Sequence, residues 1–246
     1  MYLYILLPSI LALYALYTKK ATIPAIIFAW ILGFVVCYFG DFYAFGALAL
    51  TYILVVIGDK IKKSKKDKMR NIYQIISTTL TAVLCIILYY LTDVTAFYTM
   101  YYAVLASSLG DTLSSSLGGL SKNKPVNIFT MEKLEKGASG GVTLLGTFVS
   151  LLGGIIIGLV YLLKVYDLEG FIIISVLALL GSLFDSIMGI LLQAQYRCVA
   201  CKEVVEEAKH CKQKTKLIRG YAFIDNNIVN LLSNILVFVL CYFLLR

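Results

Sequence analysis

Long apolar runs alternate with short polar breaks along the whole chain. Eight apolar stretches cover about 1–17, 22–39, 42–58, 72–91, 94–117, 140–163, 170–193 and 221–245. The later ones reach the roughly 20 residues a helix needs to cross a ~30 Å hydrocarbon core. The first three stop near 17, which admits membrane thinning, re-entrance or burial behind other helices. The pattern predicts an all-α fold, a polytopic transmembrane helical bundle of about eight spans, or seven if one short stretch does not cross. It forms a single integral membrane domain over 1–246, with cytoplasmic loops at 59–71, 118–139 and 196–220.

Composition agrees: 60% of the 246 residues are hydrophobic and the mean hydropathy is +0.87, far above a soluble domain. The net charge of +8 would by itself suggest nucleic acid, but its placement excludes that reading. Of 22 basic residues, 20 fall in the breaks after stretches 1, 3, 5 and 7, and only Lys164 and Arg246 lie on the other side. The positive-inside rule then puts both termini outside and the four basic breaks in the cytoplasm. The first stretch lacks a basic leader and a small-residue cleavage site and is expected to be a retained helix.

Two stretches carry an acid in matching surroundings. Ser108-Leu109-Gly110-Asp111-Thr112-Leu113 returns 74 residues later as Ser182-Leu183-Phe184-Asp185-Ser186-Ile187. An acid in hydrocarbon is costly unless it faces a polar cavity or a cation, so Asp111 and Asp185 predict one shared site. Ser108, Asp111 and Ser115 share a helix face beside Thr112; Gly181, Asp185, Gly189 and Gln193 follow one turn apart on the second helix. The last stretch opens with Asp225-Asn226-Asn227, and Asn226, Asn230, Ser233 and Asn234 make a stripe too polar for lipid.

Three further segments suit phosphate. Lys122 and Lys124 precede Gly137-Ala138-Ser139-Gly140-Gly141-Val142-Thr143, whose backbone N–H groups open a helix. This is neither a Walker loop nor a dinucleotide fingerprint, and close helix packing accounts for the glycines equally. Arg70, Asn71 and Gln74 fit one turn at the start of stretch 4, as interfacial caps or as a rim for phosphate or ribose. In the last basic break, Cys198, Cys201, His210 and Cys211 are zinc-ligand types. Their spacing is not that of a standard finger and favours a reduced, metal-free loop over a structural zinc.

Together these segments resemble a family of integral membrane proteins known as domain of unknown function 92, which takes in the transmembrane protein 19 group and a plant phytyl-phosphate kinase. The resemblance rests on Arg70 to Gln74, Ala106 to Thr112, Gly137 to Thr147, Gly181 to Ser186 with Gln193, Tyr196 and Cys198, and Asp225 to Asn230. Lys136 stands where the family often has proline, and Ser116 where it has glutamate. The plant member implies phosphorylation of a prenyl monophosphate to its diphosphate by a nucleoside triphosphate such as CTP. On that reading Asp111, Asp185 and Asp225 hold Mg²⁺, and Asn226 and Asn230 orient phosphate. Lys122, Lys124 and Gly137 to Gly141 take the donor phosphates, with Ser108, Thr112, Ser115, Ser139, Thr143, Ser182, Ser186, Gln193, Arg70 and Asn71 around them. The partners implied are an isoprenoid lipid phosphate, a nucleoside triphosphate and membrane lipid, with a homo-oligomer left open. The rival readings are a cation-coupled transporter or ion channel, and another lipid enzyme such as a prenol kinase.

Overall fold

The computed structural model describes residues 2–62, 69–134 and 138–246. Gly137, and Lys63, Lys65, Lys66, Lys68 and Lys136 among the basic residues counted above, lie outside them. Among the described residues eight helices dominate: α1 (Tyr2–Thr18), α2 (Ile23–Phe39), α3 (Phe42–Lys62), α4 (Ile72–Thr92), α5 (Thr95–Leu117), α6 (Leu144–Val165), α7 (Leu168–Leu191) and α8 (Asn226–Leu244). α3, α4, α6, α7 and α8 are long and apolar enough to cross a membrane, whereas α1 and α2 are apolar but only 17 residues each. At 1.5 Å per residue those two reach about 25 Å, short of the ~30 Å core.

Helix boundaries follow local chemistry. Pro24 sits in the first turn of α2, where a missing N–H costs little. Asn71 and Gln74 form a reciprocal capping box on α4, each side chain 3.0 Å from the other's backbone nitrogen. Thr143 Oγ1 accepts from Gly146 N at 3.0 Å to start α6, and Asp225 Oδ1 accepts from Ile228 N at 3.0 Å to start α8. Both helices begin four or five residues later than the hydropathy suggests, because the preceding residues are occupied in turns and short strands.

α5 is the axis of the bundle. It packs against α3, α4, α6, α7 and α8, and from Tyr98 to Gly110 every residue is buried. Its own composition is too polar for a lipid-facing helix, and its neighbours remove that requirement. Small residues allow the close approach: a Cβ on Gly110 would lie 3.1 Å from Ser150 O on α6 and 3.2 Å from Ala178 O on α7.

The far end of the bundle is closed by polar side chains. Tyr98 donates to Asp41 Oδ2 (2.9 Å), Lys164 pairs with the same oxygen (3.3 Å), and Tyr161 donates to Asp167 (2.7 Å). At the opposite end the four basic connections meet. Thr22 N donates to Arg70 O (2.9 Å), Tyr221 N to Leu192 O (3.0 Å), and Ser139 Oγ to Gln193 Oε1 (2.6 Å).

The all-α expectation holds for the helices, with an addition at this basic end. β1 (Val126–Asn127) pairs antiparallel with β2 (Gly141–Val142). β3 (Gln195–Arg197) lies between β4 (Val204–Val205) and β7 (Lys216–Arg219), while β5 (Lys209–His210) pairs with β6 (Gln213–Lys214). Strands of two to four residues are too short to show a period of two in sequence.

Candidate functional site

Where α5 and α7 reach the basic end, they enclose a polar cavity of about 490 Å³. Asp111 and Asp185 both line it, one from each helix, as the repeated motif predicts. On α8, Asn230 Nδ2 lies 2.8 Å from Asp185 Oδ2 and 2.9 Å from Asn226 O with the amide oriented to donate. Ser233 Oγ lies 3.5 Å from the same carboxylate oxygen. Asp111 and Glu206 stand close enough to Asp185 to act on its charge. Two carboxylates can face each other in low dielectric only with a proton or a cation between them.

Of the other sequence-predicted residues, Arg70, Thr112, Ser115, Ser139, Gly140, Gly141, Thr143, Ser186, Asn226 and Asn230 also line the cavity. The other described ones lie off the cavity wall. Asn71 caps α4, and Asp225 is exposed and caps α8, where Asn227 Nδ2 also donates to it (2.9 Å). Ser108 is buried between helices, donating to Thr78 O at 2.6 Å and bonded to Asn234. Gln193 is buried beneath Ser139 with its Nε2 unpartnered, and Ser182 is buried on α7. Lys122 and Lys124 are exposed and flank the cavity-lining Asn123.

Several lining residues escape a reading of sequence. Asp59 and Lys62 come from the last turn of α3, and Glu206 comes from the turn after β4. Asp59 accepts from Ser116 (3.3 Å) and pairs with Arg70 (3.6 Å). The signal for Asp59 was an acid before the lysines of α3; for Glu206, one acid among several in a loop, there was none.

An apolar slot adjoins the cavity. α1 and α2 form much of its wall, with Pro8, Ala12, Ala29, Trp30 and Gly33 among the lining residues. Arg70, Gln74, Thr78 and Thr112 line both spaces, so the slot and the acidic cavity share a rim.

Gly140 explains why this loop segment lies so close to α7. Its φ is +77°, and a Cβ there would sit 2.6 Å from Ser186 O and 2.9 Å from Ile190 N. Nearby, Arg219 Nη2 donates to Ser139 O (3.4 Å) and Gly189 O (3.3 Å). Burial lowers the pKa of its guanidinium.

A second cluster stands apart from the acids. Cys198, Cys201, His210 and Cys211 bring their ligand atoms within 4.8 Å of one another and could hold a metal ion. Backbone N–H groups, first that of Cys201, lower the Cys198 thiol to about 6, while its bond with Cys201 raises the Cys211 thiol to about 11.

The profile of "Integral membrane protein DUF92" matches residues 6–238. The uncharacterized membrane protein MJ0933 of Methanocaldococcus jannaschii is 31% identical over 194 residues, covering 77% of this chain and 82% of that protein. Protein PGR of Arabidopsis thaliana is 35% identical over 139 residues, 52% of this chain and 47% of its own length. The match therefore spans about half of the plant relative. No solved structure matches. With the profile running from α1 into α8, the chain belongs to the DUF92 family of integral membrane proteins.

Proposed function

We propose that this protein is a membrane prenyl-monophosphate kinase, moving a phosphoryl group from a nucleoside triphosphate such as CTP to an isoprenoid monophosphate. One observation carries the reading: an acidic, oxygen-lined cavity and an apolar slot share the rim of Arg70, Gln74, Thr78 and Thr112. An amphiphile with an anionic head and an apolar tail fits that pair of spaces. The positive-inside rule supports eight spans with both termini outside and the cavity open to the cytoplasm.

The donor set of the cavity is all oxygen, which suits Mg²⁺ and not a softer metal. Asp111 and Asp185 would hold it, with Asp59 and Glu206 as the other acids on the wall. Bound there, Mg²⁺ would neutralise phosphate charge. Asp225 acts at a distance, by capping the helix that presents Asn226 and Asn230. Asn230 holds Asp185 in place, Arg70 and Lys62 offer cations to phosphate, and Gly140 and Gly141 line the same space.

The acceptor is a phosphate oxygen already ionised at neutral pH. It attacks the γ-phosphorus, the bond to the β–γ bridging oxygen breaks, and the nucleoside diphosphate leaves. No side chain has to remove a proton, so positioning and charge neutralisation suffice. The buried tyrosines on α5, Tyr98, Tyr101 and Tyr102, fill the bundle beyond the cavity, which favours an enzyme over an ion path.

The test is purified protein in nanodiscs with Mg²⁺, labelled CTP or ATP, and geranylgeranyl or phytyl monophosphate. Diphosphate should form, and Asp111→Asn or Asp185→Asn should lower kcat about 100-fold or more, because metal charge stabilisation supplies several kcal/mol. No turnover with any donor, together with cation flux in proteoliposomes, would replace this reading by transport.

A further inference from the structure

The segment from Arg197 to Arg219 poses a packing problem. It contains strands of two to four residues, and of its 23 positions only Cys198 is buried. Paired strands this short, without an apolar core, do not persist in water and need a cross-link or a metal. Two tight turns hold the candidate ligands. In the first, Cys198 N donates to Glu203 O (2.9 Å) and Lys202 N to Cys198 O (3.1 Å), with Lys202 at φ +65°. The N–H groups of Ala200 and Cys201 point at the Cys198 sulfur. The second joins β5 to β6 through Cys211 and Lys212, both left-handed at φ +49° and +60°.

Both turns aim inward at one point. The His210 Nδ1 atom is 3.5 Å from Cys201 Sγ and 3.4 Å from Cys211 Sγ, and the four ligand atoms lie within 4.8 Å of one another. A tetrahedral zinc with Zn–S near 2.3 Å and Zn–N of 2.0–2.1 Å sets S···N edges of about 3.5 Å and S···S edges of about 3.8 Å. The N–H groups directed at sulfur are the outer donors that steady a zinc thiolate. Three thiolates and one imidazole leave a Zn²⁺ site at net −1, and Lys202, Lys209, Lys212, Lys214 and Lys216 surround it in sequence.

We propose that Cys198, Cys201, His210 and Cys211 bind one structural zinc ion in a Cys₃His site, and that this zinc holds the β3–β7 unit in shape. Binding replaces the three thiol protons and ties the two turns together. The consequence reaches the cavity, because Glu206 lines it from between the two turns and Arg219 ends β7 against Ser139 and Gly189. The sequence spacing argued for a metal-free loop; the fold closes it into a ligand sphere.

Tag-free full-length protein, purified anaerobically in detergent without chelator, should contain one zinc per chain by mass spectrometry. Replacement by Co²⁺ should give the thiolate charge-transfer band and the d–d bands of a tetrahedral site. The C201S/C211S double variant should lose both zinc and bands, and hydrogen exchange across 196–219 should rise. Asp111→Asn should keep its zinc, which separates this site from the acidic cavity. Background zinc in the reduced wild type, absent cobalt bands, undiminished zinc in the double variant, or a Cys201–Cys211 disulfide would each overturn the proposal. Should the double variant fail to fold, the cobalt spectrum of the wild type still decides.

Discussion

Gly140→Ala probes how the loop beside the acids is seated. The substitution adds one methyl group at a backbone position with φ +77°. The left-handed conformation costs an L-residue about 1–2 kcal/mol. The methyl also meets Ile190 Cγ1, Ser186 O at 2.6 Å and Ile190 N at 2.9 Å. The last two are α7 backbone within five residues of Asp185 and cannot turn aside, so overpacking adds about 1–3 kcal/mol. The seated loop is therefore destabilised by about 2–5 kcal/mol, while the bundle itself keeps its contacts. Local opening of 138–143 should increase at least about 30-fold, read as hydrogen exchange of peptides from that segment in nanodiscs. Gly119→Ala is the control: Gly119 lines the same cavity, is exposed, and has nothing within 4 Å of its added Cβ. Exchange in Gly140→Ala equal to that of Gly119→Ala would refute the reasoning. So would a uniform rise across α4 to α8, which would mean the methyl unseats the whole bundle.

Two further predictions bear on packing and on the slot. Asn234→Leu removes donor contacts to Ser77 O (3.0 Å) and Ser108 Oγ (2.9 Å) that tie α8 to α4 and α5; at roughly 0.6 kcal/mol each, unfolding in a detergent titration should shift by about 1 kcal/mol, and a loss above about 3 kcal/mol would show that the network is worth more than its separate bonds. Ala29→Phe places a ring in the apolar slot, so KM for a long-chain prenyl phosphate should rise about tenfold while KM for the nucleotide stays put; an equal change in both would remove the slot from the acceptor's path.

Length and hydropathy alone determine the helical frame. Eight apolar stretches become eight helices, because a run of some 20 apolar residues has few ways to satisfy its backbone except as a helix. The two embedded acids were legible for the same reason: a carboxylate among leucines has to face something polar, and Asp111 and Asp185 do face one cavity. What each remaining polar residue does was not legible. Asp225, Asn71 and Thr143 cap helices, and the residue types that cap are the types that bind phosphate or metal. Ser108 and Asn234 bond helix to helix, which depends on partners more than 120 residues away. Tertiary structure alone decided that α5, the most polar of the long helices, would be the axis, since burial by its neighbours replaces the need for apolar side chains. It alone brought Asp59 and Glu206 to the cavity and folded Cys198, Cys201, His210 and Cys211 around one point. Such groupings arise when segments far apart in the chain meet, and no local spacing records them.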